Sequence, residues 1–363
     1  MYSTDQFRVF ATPPSDKVLS RPRRLLQDGQ AVEAEAAYRT VLSSQPELRQ
    51  TWVEFFALLR SGGRHAEALV LAEQARLQFG EEALPAALRG AALVELGRYR
   101  EGLAALDDAS QRDPNLGLVW HEAGYAAFRV GELSRALMAL DRAFALEPHG
   151  GTLHLRGQVL RQAGRYMAAE VAFEGAAEAA EFPAQREAAR TEITATRRYA
   201  TFRGTKPEAL DLAQRWFADT GGVPLTRGGG ARPSDAELAS AFARLAGECG
   251  WRFTVLVAFD GWEGWYDLAR TLAVPVAATL GAGDAEIPLI GARQPASHTR
   301  WMELADTPSI MRRGLTLLLH QPLEARAADV AGIVGEAGGT LDHALALEAV
   351  RHPEGRLAGR QLS

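Results

Sequence analysis

In the first half of the chain, apolar residues recur three or four positions apart, in blocks separated by short polar breaks. Five of these breaks carry a glycine: Gly29, Gly63, Gly97, Gly131 and Gly164. The first four are spaced by 34 residues, and the last follows after 33. Their neighbourhoods recur as well, as Asp28-Gly29-Gln30, Gly63-Arg64-His65, Gly97-Arg98-Tyr99, Gly131-Glu132-Leu133 and Gly164-Arg165-Tyr166. A glycine suits a tight turn between antiparallel helices because, lacking Cβ, it takes positive φ without a clash. The pattern therefore predicts helix pairs joined at these glycines.

With the turns in register, other positions fall into line. Small residues that let paired helices approach recur before the turn, at Gly90, Gly124 and Gly157. After it, small residues recur at Ala34, Ala68, Gly102, Ala136 and Ala169. Four residues on stand Tyr38, Ala72, Leu106, Leu140 and Phe173, and three further Val41, Ala75, Ala109, Ala143 and Ala176. Most units close at Pro46, Pro114 or Pro148, with Gly80 in the second, and Trp52 and Trp120 open the second and fourth. This succession resembles the tetratricopeptide-repeat family over units at 15–48, 49–82, 83–116, 117–149 and 150–183. The fourth unit is nearest the family pattern. The first departs most, with Pro22 where a small residue is expected, which points to a short or late leading helix.

The resemblance implies an all-α superhelix with a concave groove, because each helix pair leaves an apolar face that only its neighbour covers. Residues 1–14 are read as an extension and 184–205 as a capping helix and linker. In this family the first helix of each unit lines the groove. Carried onto this chain, that places Val53, Ala57 and Arg60, then Ala87, Ala91, Val94 and Glu95, along the wall. The binding patch expected is His121, Tyr125, Phe128 and Arg129 of the fourth unit with His154, Gln158 and Arg161 of the fifth, and Gln162 beside them. Aromatic surface with arginine forks suits a protein or peptide bearing an acidic or carboxylate group. The alternative is that the aromatics pack inside the solenoid and the histidines are merely wetted polar residues.

Past Gly204 the period stops. Residues 206–219 read as helix, and 226–233, with Gly228, Gly229 and Gly230, as a loop. Ser234 and Glu237 have the spacing of a capping box that opens a helix. Apolar runs at 253–259, 274–280, 287–290 and 315–319 are continuous rather than alternating, as in strands covered on both faces. Helical text falls at 262–272, 299–313, 325–336 and 341–350. The fold class expected for 206–352 is a small α/β domain with a mostly parallel sheet, followed by a tail at 353–363. It resembles no recognised family.

Sites in open α/β sheets gather at the carboxyl ends of strands. Asp260 and His320 stand at two such ends, and Asp284, Glu286 and His298 lie in loops nearby. An acid and a histidine are the residue types of proton transfer, but no nucleophile elbow, metal triad or phosphate loop accompanies them. Asp260-Gly261-Trp262 reads equally as a strand-to-helix turn capped by Asp260, and that reading is favoured. The triple glycine lacks a phosphate loop's lysine and a convincing strand before it. Cys249 reads as structural. Trp251, Trp262 and Trp265 cluster with Tyr266 and read in part as core, with Trp262 and Trp265 marking an interface if both stay exposed.

Composition narrows the classes. At 363 residues the chain exceeds what one core usually supports. Its formal net charge of -5 gives no electrostatic ground for nucleic acid. Lys17 and Lys206 are its only lysines among many arginines, as in the coding bias of a GC-rich bacterium. A single cysteine excludes an internal disulfide and a multi-thiolate zinc site. No cofactor or metal is expected. The amino terminus has no signal-peptide core and no stretch is long enough to span a membrane, so the expectation is a cytoplasmic protein. Three functions stay open: a scaffold holding a polypeptide, an enzyme whose α/β domain acts on a small molecule, and a structural subunit of a larger assembly.

Overall fold

The computed structural model describes residues 16–279, 287–294, 298–305, 313–325, 327–336, 338–360 and 362. The chain divides into two compact units, one containing residues up to Ala163 with Val171–Ala189, the other Gly164–Glu170 with everything from Arg190 onward.

The first unit is built from helical hairpins: α1 (Asp16–Gln27) with α2 (Ala31–Ser44), α3 (Arg49–Ser61) with α4 (His65–Phe79), and α5 (Ala83–Glu95) with α6 (Tyr99–Arg112). Next come α7 (Gly117–Arg129) with α8 (Leu133–Leu146), and α9 (Gly150–Gln162) with α10 (Tyr166–Glu178). The turn glycines have φ between 70° and 85° (Gly63 and Gly131 at the extremes), where a Cβ would be strained. Trp52 and Trp120 each donate Nε1–H to a carbonyl six residues back, Pro46 at 2.8 Å and Pro114 at 2.9 Å. α1 continues past Pro22 from Asp16 to Gln27, so the leading helix is neither short nor late, although the proline costs it one i→i−4 bond and crowds the carbonyl of Val18.

The close-approach glycines fit a large side chain on the second helix of their own hairpin. A Cβ on Gly90 would lie 2.6 Å from Leu106 Cγ, one on Gly124 2.7 Å from Leu140 Cγ, and one on Gly157 2.7 Å from Phe173 Cε1. The second hairpin reverses the arrangement: Phe56, fully buried, stands in the glycine place and Ala72 in the large one. The bulk has moved to the first helix, with a small residue across from it.

α11 (Pro183–Ala200) crosses the division between the units. Its later part is fastened into the second unit. Buried Arg198 donates to the carbonyls of Ala218, Asp219 and Glu354 at 2.8–2.9 Å, and the Tyr199 hydroxyl donates to Asp219 Oδ1 at 2.7 Å. Ala218 and Asp219 lie in the last turn of α12 (Leu212–Thr220), so Arg198 occupies carbonyls that the helix end leaves without partners.

The second unit holds a six-stranded sheet of β1 (Val223–Pro224), β3 (Val255–Ala258), β4 (Val276–Ala277), β5 (Pro288–Ala292), β6 (Leu315–Gln321) and β7 (Val330–Val334). Its order is β1-β7-β6-β5-β3-β4, with each pairing parallel. β2 (Thr226–Gly228) and β8 (Gly339–Leu341) form a separate antiparallel ribbon. A short 3-10 helix (Pro207–Ala209) and helices α13 (Asp235–Glu248), α14 (Gly264–Leu272), α15 (His298–Ala305) and α16 (His343–Arg351) complete the described elements. Alternate residues serve two apolar layers: Leu256, Leu289 and Leu317 pack in one, Val257, Ile290 and Leu318 in the other. That is why the strands read as continuous apolar runs.

Two expectations fail here. Residues 325–336 contain strand β7 rather than a helix. Their alanines mimic a helical face, but Val330, Ile333 and Val334 are β-branched, and a Cβ on Gly332 would sit 2.4 Å from the carbonyl oxygen of Leu319 on the adjacent strand. Residues 226–233 are not all loop, since Thr226–Gly228 is β2 and pairs with β8. The Ser234–Glu237 capping box is present, with Ser234 Oγ accepting from Glu237 N at 3.3 Å and Glu237 Oε2 from Ser234 N at 2.8 Å.

Candidate functional site

On the solenoid, the residues anticipated as one binding patch divide among different tasks. His121 is 4% exposed, so a partner could not touch it; its Nδ1 lies 3.0 Å from the hydroxyl of Thr152 on α9. Burial, helped by His149 and Arg60, pushes its imidazole down to about 4. Phe128 is half-buried against the core. His154 and Arg161 flank the buried ring of Phe173, with the imidazole edge-on at 5.3 Å and the guanidinium 5.7 Å from the centroid. Gln158 lies 3.4 Å from His154 Nε2. The reason is helical geometry. His121 and Phe128 share a stripe with Gly124, and His154 and Arg161 share one with Gly157, where the paired helix comes closest. Val53, Ala57, Ala87, Ala91 and Val94 are buried as well, so that part of the expected wall is core.

Tyr125 and Arg129 do form a surface feature. The exposed Arg129 donates to the Tyr125 hydroxyl at 2.7 Å and places its guanidinium 4.5 Å above the ring of Tyr99. Tyr99 and Tyr125 meet edge to face at 6.3 Å. The arginine is thus held on two aromatic rings while four of its five N–H groups are not spent on Tyr125.

The helices α3, α5 and α7 also share a charge cluster that sequence reasoning recognised only in part. Arg60, 10% exposed, bonds Glu95 and reaches Glu122 at 3.2 Å. Glu122 is 3% exposed, and burial lifts its carboxyl above the ordinary range while Arg60 opposes the shift. A glutamate inside the otherwise apolar run of α7 was the available signal.

In the α/β unit, Asp260 and His320 border one crevice, but each is engaged elsewhere. Asp260 Oδ1 accepts from Trp265 Nε1 at 2.7 Å and from Trp262 N at 3.2 Å, and Oδ2 from Arg293 N at 2.6 Å. It therefore ties the end of β3 to the start of α14 and to the end of β5. It holds the strand-to-helix turn as expected but does not cap the helix, whose N-cap is Glu263 with no side-chain cap bond. His320 Nε2 meets Asp235 Oδ1 at 2.7 Å, and Arg293 Nε donates to Asp235 Oδ2 at 2.6 Å. Arg232 Nη2 lies 3.1 Å from His320 Nδ1. Asp235 is the acid that sequence reasoning missed; its position at the start of α13, after the glycine loop, was the clue.

Of the other candidates, Asp284 and Glu286 lie outside the described residues, as does the side chain of His298. Cys249 is half-buried, and burial pushes its thiol up, away from the thiolate. Trp265 is fully buried against Gly291 of β5, and Trp262 stands edge-on to it at 5.0 Å, so the pair is not an exposed aromatic face. Among the described residues no helix is long and apolar enough to cross a membrane.

The first unit is a solenoid of tetratricopeptide type, followed in the chain by a parallel-sheet α/β unit. No family model and no curated protein matches the chain. Among solved structures, a thermophilic TPR protein of Thermus thermophilus is 18% identical, covering 50% of this chain and 99% of that one, with a TM-score of 0.44. PilW, described as a widely conserved type IV pilus biogenesis factor, is also 18% identical, over 55% and 90%, at 0.44. The APC/C hetero-tetramer Cut9–Hcn1 supplies a chain 17% identical, over 60% and 41%, at 0.46. At these values the class rests on the chain's own period, turn glycines and interlocked hairpins.

Proposed function

We propose that this protein is a scaffold whose solenoid holds a polypeptide segment through the Tyr99–Tyr125–Arg129 corner, with Gln158 and Arg161 as further contacts. The observation that carries the reading is the exposed Arg129 guanidinium seated on two tyrosines. An arginine already ordered on aromatic rings loses little freedom when it forks onto a carboxylate, so its bonds contribute more to affinity. The partner is a protein or peptide with an acidic side chain or a terminal carboxylate, met in the cytoplasm of a bacterium. Nucleic acid is not part of this reading. His121 and Phe128 support the corner from within the helix layer.

A photo-crosslinking side chain placed at Gln158 tests this on the full chain, with the same group at exposed Met138 on α8 as the comparison. A partner band from position 158 that is absent from position 138, and is competed by an acidic peptide, is the expected result. Equal crosslinking at both positions, or none at 158, contradicts it.

A further inference from the structure

The sheet of the second unit changes direction beside β3. From β3 the chain goes to β4 on one side, and from β5, on the other side of β3, it goes on to β6, so the connections leaving the carboxyl ends of β3 and β5 head in opposite directions. Open parallel sheets bind their ligands in the crevice such a divergence leaves. Here the crevice has a volume of about 660 Å³ and is bordered by Asp260, Trp262, Glu263, Arg293, Gln294 and His320. That is the scale of small-molecule sites.

The hydrogen bonds around His320 define what the crevice offers. A guanidinium has only donors, so the nitrogen beside Arg232, Nδ1, carries the lone pair. Nε2 therefore bears the hydrogen and donates it to Asp235, which Arg293 holds from its other oxygen. The ring is fixed in one tautomer and orientation by Asp235, with an acceptor nitrogen covered by Arg232. Arg232 is exposed and sits on the loop after Gly229 and Gly230, both at positive φ. Of the negative groups nearby, Asp235 is paired with Arg293 and both Asp260 oxygens accept N–H groups, while Glu263 is exposed to water at the border, where solvent screens its charge.

We propose that this crevice binds a small molecule carrying an oxyanion, a phosphate or a carboxylate, beside a hydrogen-bond donor. The oxyanion draws Arg232 off the imidazole, because a charge-assisted fork is stronger than a bond to a neutral ring nitrogen. His320 Nδ1 then accepts the ligand's donor while Asp235 keeps hold of Nε2–H. Arg293 stays on Asp235 and balances its charge while that carboxylate orients the ring. This goes beyond the partner-holding role of the solenoid and uses none of its residues.

The test follows the ring nitrogens of His320 by nitrogen-15 magnetic resonance in the full chain. The probes are inorganic phosphate and glycolate, each an oxyanion beside a hydroxyl, with sodium chloride at matched ionic strength as control. A saturable movement with phosphate identifies a phosphorylated ligand, and one with glycolate a hydroxy acid; either supports the proposal. Arg232→Gln should weaken the response by about tenfold or more, with Arg232→Lys intermediate. No saturable movement with either probe, or an unchanged response in Arg232→Gln, overturns it.

Discussion

His320 and Asp235, 85 positions apart in the chain, meet across 2.7 Å, while Asp260 at the same crevice spends both carboxylate oxygens on the scaffold. The two acids therefore have different jobs. Removing Asp260 leaves the Trp265 indole, the Trp262 amide and the Arg293 amide short of an acceptor. Asp260→Ala should cost about 3 kcal/mol in urea unfolding of the second unit, because partly buried donors lose their partner. Asp235→Ala should cost about 1 kcal/mol, since its partners retain access to water. Equal losses would contradict the division of roles.

The hairpin interlock gives a sharper test. Gly124→Ala would gain about 1 kcal/mol from helix propensity if the site were open. With Leu140 Cγ at 2.7 Å from the new Cβ, the variant should instead lose about 1–2 kcal/mol. Combined with Leu140→Ala, the loss should fall short of the sum of the single losses by about 1 kcal/mol or more. The second hairpin, with Phe56 opposite Ala72, shows that bulk on the first helix is accepted when the second makes room. Strict additivity in denaturant unfolding would refute the interlock.

Arg60 balances the carboxylate buried in α7. Arg60→Met should destabilise the solenoid by about 3 kcal/mol, because Glu122 is left without its counter-charge. Adding Glu122→Leu should recover much of that loss. A single variant as stable as the wild type would show that the cluster is not coupled.

His121 makes stability depend on pH. In the unfolded chain its imidazole takes a proton near 6.5, and in the native solenoid only near 4. Between those values the unfolded state binds more protons, so stability falls as pH drops from about 6.5 toward about 4. Buried Glu122 opposes this, since its raised carboxyl takes up a proton in the native state first. Comparison with His121→Gln isolates the histidine: over that window the wild type should lose roughly 3 kcal/mol more than the variant. Parallel curves would rule it out.

The solenoid was legible because its signal is repeated: a turn glycine at positive φ and a glycine facing a large side chain recur in the same register. The continuous apolar runs of β3, β5 and β6 were legible because both faces of the sheet are covered. The functional side chains were harder to read. His121 looked accessible because it is polar, yet it lies on the stripe of a close-approach glycine and is buried; His154 and Arg161 share such a stripe and stay half-buried beside Phe173. Asp235 looked like one residue of a helix start, because its partner His320 is brought to it only by the order of the sheet. Strand β7 was hidden by alanines that satisfy either period; its β-branched residues and the close approach of Gly332 to Leu319 distinguish it.

The most direct test of the scaffold reading compares proteins recovered with the full chain and with a Tyr125→Ala/Arg129→Glu variant of matched helicity and amount. A polypeptide should co-purify with the wild type, bind it again after isolation through an acidic segment, and be lost from the variant. The same proteins recovered equally with both would contradict it.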